Sequence, residues 1–349
     1  MAGNLPLRIA RILPETAEAA TLVLEPITGS PLPYRAGQFL TLRFPRSLGE
    51  IRRSFSFSSS PRTGEPPALT IKRKPNGEVS RHILEQVRVG DILEAVKPSG
   101  MFTLDLKADR PRDIFLLGAG IGITPLFSHL KTLLAEEPDA RIILLYSNTR
   151  RSSIIFFNEL ETLQRLHPSR FTCIHILSQA GSGEPVIQGH LNNGLLETLV
   201  DSYLQFPRDR AEFLTCGPPA YMRMVMLTLR YLGFNESQIH RENFLVLPPP
   251  PPSPGLGESH EMRIRTGGAT LRIRVAPFQN ILQAALDQGI PIPFSCRGGV
   301  CSTCKCRLLQ GKIRMTANEV LTDRDLREGW VLTCTGYPLS DAVEIRLEG

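Results

Sequence analysis

At 349 residues, 42% of them apolar and with a formal net charge of +6, the chain has the composition of a globular protein of two or three domains, at ~100–200 residues per domain. No apolar run approaches ~18 residues, and the opening MAGNLPLRIARIL has neither a long apolar core nor a small-residue cleavage site, so no membrane span and no secretion are expected and a cytoplasmic location is. The basic residues are scattered, with short pairs such as Arg52-Arg53 and Arg150-Arg151, and no helix-turn-helix, zinc-finger or aromatic RNA-binding pattern accompanies them, so nucleic acid is not expected as a partner.

Residues 1–108 read as β structure. TLVLEP, QFLTLRF, RSFSFSSS and ALTIKRK alternate apolar and polar positions, and PRTGEPP and KPNGE separate them as turns, which predicts a small antiparallel barrel. Residues 109–246 change character. DIFLLG, RIILLYS, FTCIHILS and EFLTCG read as strands, and residues 124–136, 157–166 and 219–232 as helices between them. That alternation predicts a parallel α/β sheet. Residues 248–254 read PPPPPSP; six prolines in seven positions exclude helix and inner strand and mark an extended spacer, with the linker placed at 247–258. The remaining 259–349 open on the strand-like MRIRT and LRIRV and a helix at 281–287, with Ile281, Leu282, Ala285 and Leu286 on one face.

Five of the seven cysteines lie between 296 and 334. Cys296, Cys301 and Cys304 are spaced C-x4-C-x2-C, and Cys334 follows after 29 residues, the spacing of a plant-type 2Fe-2S cluster. Two irons need four thiolates. Three can share one tight loop, in which Gly298 and Gly299 let backbone N–H groups aim at sulfur, and the fourth returns from elsewhere. Structural zinc is the competing reading, but it favours two C-x2-C pairs or a Cys/His mixture. Cys306 breaks the spacing and is expected to be a packed thiol. PFSCRGGVCSTC and VLTCTGYP resemble the ligand loop and fourth-ligand segment of plant-type ferredoxins, which implies a β-grasp fold for 259–349. These residues hold 12 Lys/Arg and 9 Asp/Glu, so the acidic docking patch of photosynthetic ferredoxins is not expected here.

On the strand RSFS, period two puts Arg53 and Phe55 on one face and Ser54 and Ser56 on the other. A flavin needs donors at its N5–O4 edge, an aromatic neighbour and positive charge for its pyrophosphate, and this tetrapeptide holds all three. Alone, such alternation marks only a strand. It resembles, however, the R-x-[YF]-[ST] motif of the ferredoxin–NADP reductase superfamily, with Phe55 in place of the usual Tyr. Three further segments match in family order: residues 35–39 (RAGQF), residues 77–80 (GEVS, with Gly77, Val79 and Ser80 at the flavin phosphate) and residues 98–102 (PSGMF). The resemblance implies a flavin cofactor, and the phosphate segment implies FAD.

Gly118, Gly120, Gly122, Thr124 and Pro125 belong to GAGIGITP, a strand–loop–helix turn suited to phosphate binding at a helix N-terminus. It departs from G-x-G-x-x-G by ending in Pro, the form of the same superfamily. About 95 residues on, Cys216, Gly217 and Pro218 resemble the family's C-G-P-P at the nicotinamide, with Met222 at the usual offset. Residues 242–244 (ENF) resemble its E-x-[YF] segment, which implies Glu242 near the nicotinamide and Phe244 near the flavin. Arg150 and Arg151 stand where a 2′-phosphate would bind, or where a solvated pair would; NADPH is favoured over NADH.

The order flavin domain, nicotinamide domain, proline linker, ferredoxin domain is similar to that of reductase components of bacterial multicomponent oxygenases, those of phenylacetyl-CoA epoxidases among them. Phthalate dioxygenase-type reductases share the order but use FMN. It implies electron transfer from NAD(P)H through FAD and the 2Fe-2S cluster to an oxygenase or another acceptor protein, with Ser56 orienting the flavin N5 region and Cys216 and Glu242 positioning the nicotinamide. Two rivals stand beside it: an NAD(P)H-dependent reductase of free acceptors, and a non-enzymatic, zinc-stapled scaffold.

Overall fold

The computed structural model describes residues 5–46, 49–181, 183–244 and 256–347; the PPPPPSP run lies outside them. Three main sheets follow one another along the chain, with no strand shared.

The first comprises β1 (Leu5–Thr16), β2 (Ala19–Pro26), β3 (Phe39–Arg46), β4 (Gly49–Ser56), β5 (Ala68–Lys72) and β6 (Ile92–Ser99), with helix α1 (Glu78–Gln86) between the last two. Strand order is β4-β3-β6-β1-β2-β5, antiparallel throughout. The two edge strands meet beyond β4, at the bridge Phe57–Leu69 and the bond from Ser58 N to Ala68 O (2.9 Å), which curls the sheet towards a barrel. Alternate residues Leu7, Ile9, Leu22, Leu24, Leu40 and Leu42 fill its interior. α1 interrupts a stretch expected to be all β. Its signal was Val79 and Ile83, one helical turn apart and both buried in the barrel. Two of the motif segments pack on one another: Gly37 has φ +83°, and a Cβ there would lie 1.7 Å from the carbonyl oxygen of Phe102.

The second sheet comprises β7 (Asp113–Ala119), β8 (Arg141–Asn148), β9 (Phe171–Leu177), β10 (Ile187–Gln188), β11 (Ala211–Cys216) and β12 (Ile239–Glu242), in the order β10-β9-β8-β7-β11-β12 and parallel throughout. Its crossover helices are α2 (Ile123–Glu136), α3 (Phe157–Leu166), α4 (Asn193–Tyr203) and α5 (Pro219–Tyr231). Both faces are covered: Ile114 and Leu116 of β7 enter one core, Phe115 and Leu117 the other. Burial on both faces is why the strands read as unbroken apolar runs. The chain reverses direction across the sheet beside β7, which opens a crevice at the carboxyl ends of β7 and β11.

α2 also seats the second sheet's layer on the barrel. Ser128 donates to Ser59 O (2.6 Å), Ser60 and Thr132 share a hydrogen bond (2.7 Å), and the His129 ring donates to Phe102 O (2.8 Å), all buried. The connector between the layers is pinned by Arg112, whose fully buried guanidinium meets Glu137 at 2.6 Å and donates to Asp105 O.

The third sheet comprises β13 (His260–Thr266), β14 (Ala269–Val275), β15 (Lys305–Gln310), β17 (Trp330–Leu332) and β19 (Val343–Leu347), in the order β14-β13-β19-β15-β17. β16 (Ile313–Met315) pairs with β18 (Gly336–Pro338) beside it. Helix α6 (Ile281–Asp287), capped by Asn280, packs across it, and α7 (Asp323–Arg327) lies at its edge. β13 and β19 are parallel and the other pairs antiparallel, the mixed sheet under one helix expected for 259–349. Leu256, inside the expected linker, is buried, and its carbonyl accepts from Phe278 N, so this unit begins before residue 259. Among the described residues no helix is long and apolar enough to cross a membrane.

Candidate functional site

The crevice of the parallel sheet collects residues far apart in sequence. Gly118, last but one in β7, is in register with Cys216 of β11, and Cys216 with Glu242 of β12, so three expected site residues form one row. Gly122 is required by this row, because a Cβ there would lie 2.1 Å from Cys216 O. Gly120, at φ +54°, instead faces open space. Thr124 is buried and its hydroxyl turns back to Ile121 O (3.1 Å); Pro125 lies in the first turn of α2. Gly217 and Pro218 lead into α5, with Met222 buried in its first turn. Burial pushes the Cys216 thiol well up, with Glu242 adding to it, so it stays a neutral thiol. The hydroxyl of Thr215, next to it on the other face of β11, is buried with no hydrogen-bond partner among the described residues. Sequence reasoning missed Thr215, which a lone hydroxyl on an apolar strand does not announce.

The row faces the barrel at β4. The buried Ser56 hydroxyl donates to Glu242 Oε2 at 3.0 Å. Burial pushes the Glu242 carboxyl up to about 8, with the Ser56 bond opposing, so it is neutral at pH 7. Arg53 is exposed, free to meet an anion apart from one bond to Arg52 O, and Phe55 packs partly on the barrel core. Gly77 is the N-cap of α1 and offers no side chain to its backbone N–H groups, which suits a phosphate. Ser80 accepts from Lys74 N and donates to Gly77 O, while the Val79 side chain is in the core and leaves only its N–H for a ligand. Phe244, just past β12, is 43% exposed.

Arg150 and Arg151 lie at the other side of the crevice, after β8. Arg150 donates to Gln179 (3.0 Å) and Arg151 stacks on Phe157 (4.4 Å). Both line a cavity of about 600 Å³ with Ser152, Asn158 and Glu184.

In the third unit the four cysteines converge. Cys296 lies beside Cys301 and Cys334, and Cys304 beside Cys334. Gly298 N donates to the Cys296 sulfur (3.3 Å) and Cys296 N to the Cys301 sulfur (3.5 Å). Arg297, Gly299 and Ser302 have positive φ, the winding needed to turn three thiols inward. Sulfur-only donors with backbone N–H groups aimed at them fit an iron–sulfur cluster. Cys306 is fully buried on β15, as expected of a packed thiol.

The ligand loop lies against the barrel. Ser295 shares a hydrogen bond with Ser54 (2.6 Å) and Thr303 with Ser99 (3.4 Å). Arg52 donates to Phe294 O (2.7 Å) and lies 3.7 Å over its ring. Asn243 donates to Glu319 (3.0 Å), whose own N–H holds Gly299 O. Ser54 and Ser56, on one face of β4, thus reach the cluster loop and the nicotinamide row. None of Arg52, Ser295, Thr303 or Glu319 stood out in the sequence; the one trace was the Arg52-Arg53 pair.

Residues 17–104 match the oxidoreductase FAD-binding domain, 116–226 the oxidoreductase NAD-binding domain and 264–339 the 2Fe-2S iron-sulfur cluster binding domain. The last covers all four cysteines and overturns the zinc alternative. The chain is 32% identical to a component of the 1,2-phenylacetyl-CoA epoxidase of Escherichia coli, over 97% of its own length and 96% of that protein. It is 35% identical to the ferredoxin reductase component of 3-ketosteroid-9-alpha-monooxygenase of Mycobacterium tuberculosis, over 98% and 95%. Phthalate dioxygenase reductase shares the fold over 99% of this chain and 98% of that one, at TM-score 0.61 and 24% identity.

Proposed function

Given that the chain belongs to the NAD(P)H-dependent reductase components built from FAD-binding, NAD-binding and 2Fe-2S domains, we propose that it relays electrons from NAD(P)H to an oxygenase component. One observation carries the reading: Ser54 and Ser56, two residues apart on β4, touch the cluster loop and the nicotinamide row respectively. When bound, FAD takes the two electrons of a hydride and the 2Fe-2S cluster passes them on singly.

The chain's residues divide the work. Arg53 and the N–H groups at the start of α1, with Gly77 and Ser80, hold the flavin pyrophosphate; Phe55 packs beside the ring system and Ser56 offers its hydroxyl to the N5 edge. The turn from Gly118 to Pro125 presents N–H groups to the dinucleotide phosphates. Cys216, Gly217 and Pro218 form the nicotinamide floor, where the buried thiol stays neutral. Glu242, neutral at pH 7, positions Ser56 and the carboxamide, and Phe244 covers the flavin side. Cys296, Cys301, Cys304 and Cys334 ligate the cluster. Arg150 and Arg151, sharing one cavity, favour NADPH. None of the seven cysteines is paired in a disulfide, which suits the reducing cytoplasm where NAD(P)H is supplied.

Stopped-flow mixing of the holoprotein with NADPH and with NADH tests the scheme. Flavin bleaching followed by cluster bleaching is expected, faster with NADPH; flavin bleaching alone would sink the relay. Co-purification with an oxygenase from the native extract tests the acceptor.

A further inference from the structure

We propose that Arg52, not the neighbouring Arg53, is the positioning residue that seats the cluster loop on the flavin strand, and that it governs transfer from flavin to cluster while leaving hydride acceptance untouched. The inference rests on the relay proposed above.

Arg52 sits on the outer wall of the barrel, where an arginine is ordinarily solvated, yet its side chain is only 15% exposed. What covers it is the ferredoxin unit. Its guanidinium makes three contacts at once: the Glu50 carboxylate at 2.5 Å, the Phe294 carbonyl at 2.7 Å and the Phe294 ring at 3.7 Å. Only a planar fork with several donors and a stacking face can do all three. Glu50, also bound to Arg43, fixes the fork from the barrel side. On the ferredoxin side Arg297 lies on the same ring at 4.4 Å. Phe294 is two residues before the ligand Cys296, and Ser295 between them bonds to Ser54 on the flavin strand. The other contacts of the ligand loop with the barrel are single hydroxyl pairs, so Arg52 supplies the one desolvated, multivalent anchor among the described residues. Desolvated cation–π and charge-assisted bonds are the stronger kind. Through this seat two electrons from each NAD(P)H pass singly to the cluster, and two molecules of a one-electron acceptor such as ferricytochrome c end reduced, with one proton released.

The test uses holoprotein carrying Arg52→Ala, Arg52→Lys or Glu50→Gln, with flavin and cluster content checked by absorbance. In stopped flow with NADPH, Arg52→Ala is expected to bleach flavin within about twofold of wild type and cluster about tenfold more slowly, a shift of about 1.4 kcal/mol in the seated population. Arg52→Lys, which keeps the charge but loses the fork, and Glu50→Gln should fall between. Independently of turnover, hydrogen exchange of the oxidised protein should accelerate across 293–304 and not across 260–275. Wild-type cluster bleaching and unchanged exchange in Arg52→Ala would overturn the inference, as would a parallel fall in flavin bleaching. Should Arg52→Ala fail to load its cofactors, the other two variants decide by the same criteria. If wild type itself bleaches flavin but never cluster, the relay fails, and the exchange result still decides the seat.

Discussion

The barrel meets its two neighbours in opposite ways. Against α2 the junction is dry: Ser59, Ser60, Ser128, His129 and Thr132 are nearly sealed, and the connector is locked by the Arg112–Glu137 pair, 1% and 0% exposed. Against the ferredoxin unit it is a thin polar seam, made by Arg52, Ser54 and Ser99, with Asn243 of the nicotinamide unit beside it. Hydride transfer needs flavin and nicotinamide held within contact distance for every turnover, which a buried junction provides. A cluster that must also meet an acceptor is served by a narrower contact, held at one anchor, Arg52, and otherwise by single, partly exposed bonds that open at little cost.

The largest break in this contrast comes at the dry junction. Arg112→Met leaves Glu137 buried without its cation, at a cost of about 3–5 kcal/mol. Calorimetry should show the melting of the flavin and nicotinamide units fall by about 10 °C, at ~2–4 °C per kcal/mol, while the cluster chromophore persists. Next is acid. Burial pushes the His129 ring down to about 4, so its contribution is present above its ordinary value of 6.5 and is lost as pH falls from there to about 4. Melting temperature should drop over that window by the equivalent of roughly 3 kcal/mol, and His129→Gln should flatten the slope. Where the row meets β4, Glu242 has the opposite sign. Its raised pKa makes the folded state progressively less favourable as pH rises from the ordinary carboxyl range to about 8. The carboxylate that forms also opposes incoming hydride, so flavin reduction should slow as pH rises through about 8, and Glu242→Gln should remove that inflection. The smallest effect belongs to the seam: Asn243→Ala should change melting by no more than about 1 kcal/mol, with exchange near Gly299 slightly faster.

Much of the framework is legible in the chain because burial is regular there. The parallel strands are buried on both faces and read as apolar runs; helix 281–287 shows its apolar face; the cysteine spacing names its own cluster. What escapes is set by neighbours rather than by pattern. α1 hides because nine residues with two buried positions make a short periodic signal. β10, two residues long, has no pattern of its own. Arg52 looks like any surface arginine until the ferredoxin unit covers it. Thr215 looks like part of an ordinary strand until its hydroxyl is found without a partner.

The contact of Gly122 with Cys216 has a consequence for protein engineering. Although GAGIGITP looks like a portable phosphate-binding cassette, its last glycine is shaped by the backbone of another strand, 94 positions away in the chain. Grafting the loop into a new sheet would carry over its N–H groups but not the reason for that glycine. A working transplant therefore has to move two pieces, the turn after β7 and the end of β11, as a matched pair.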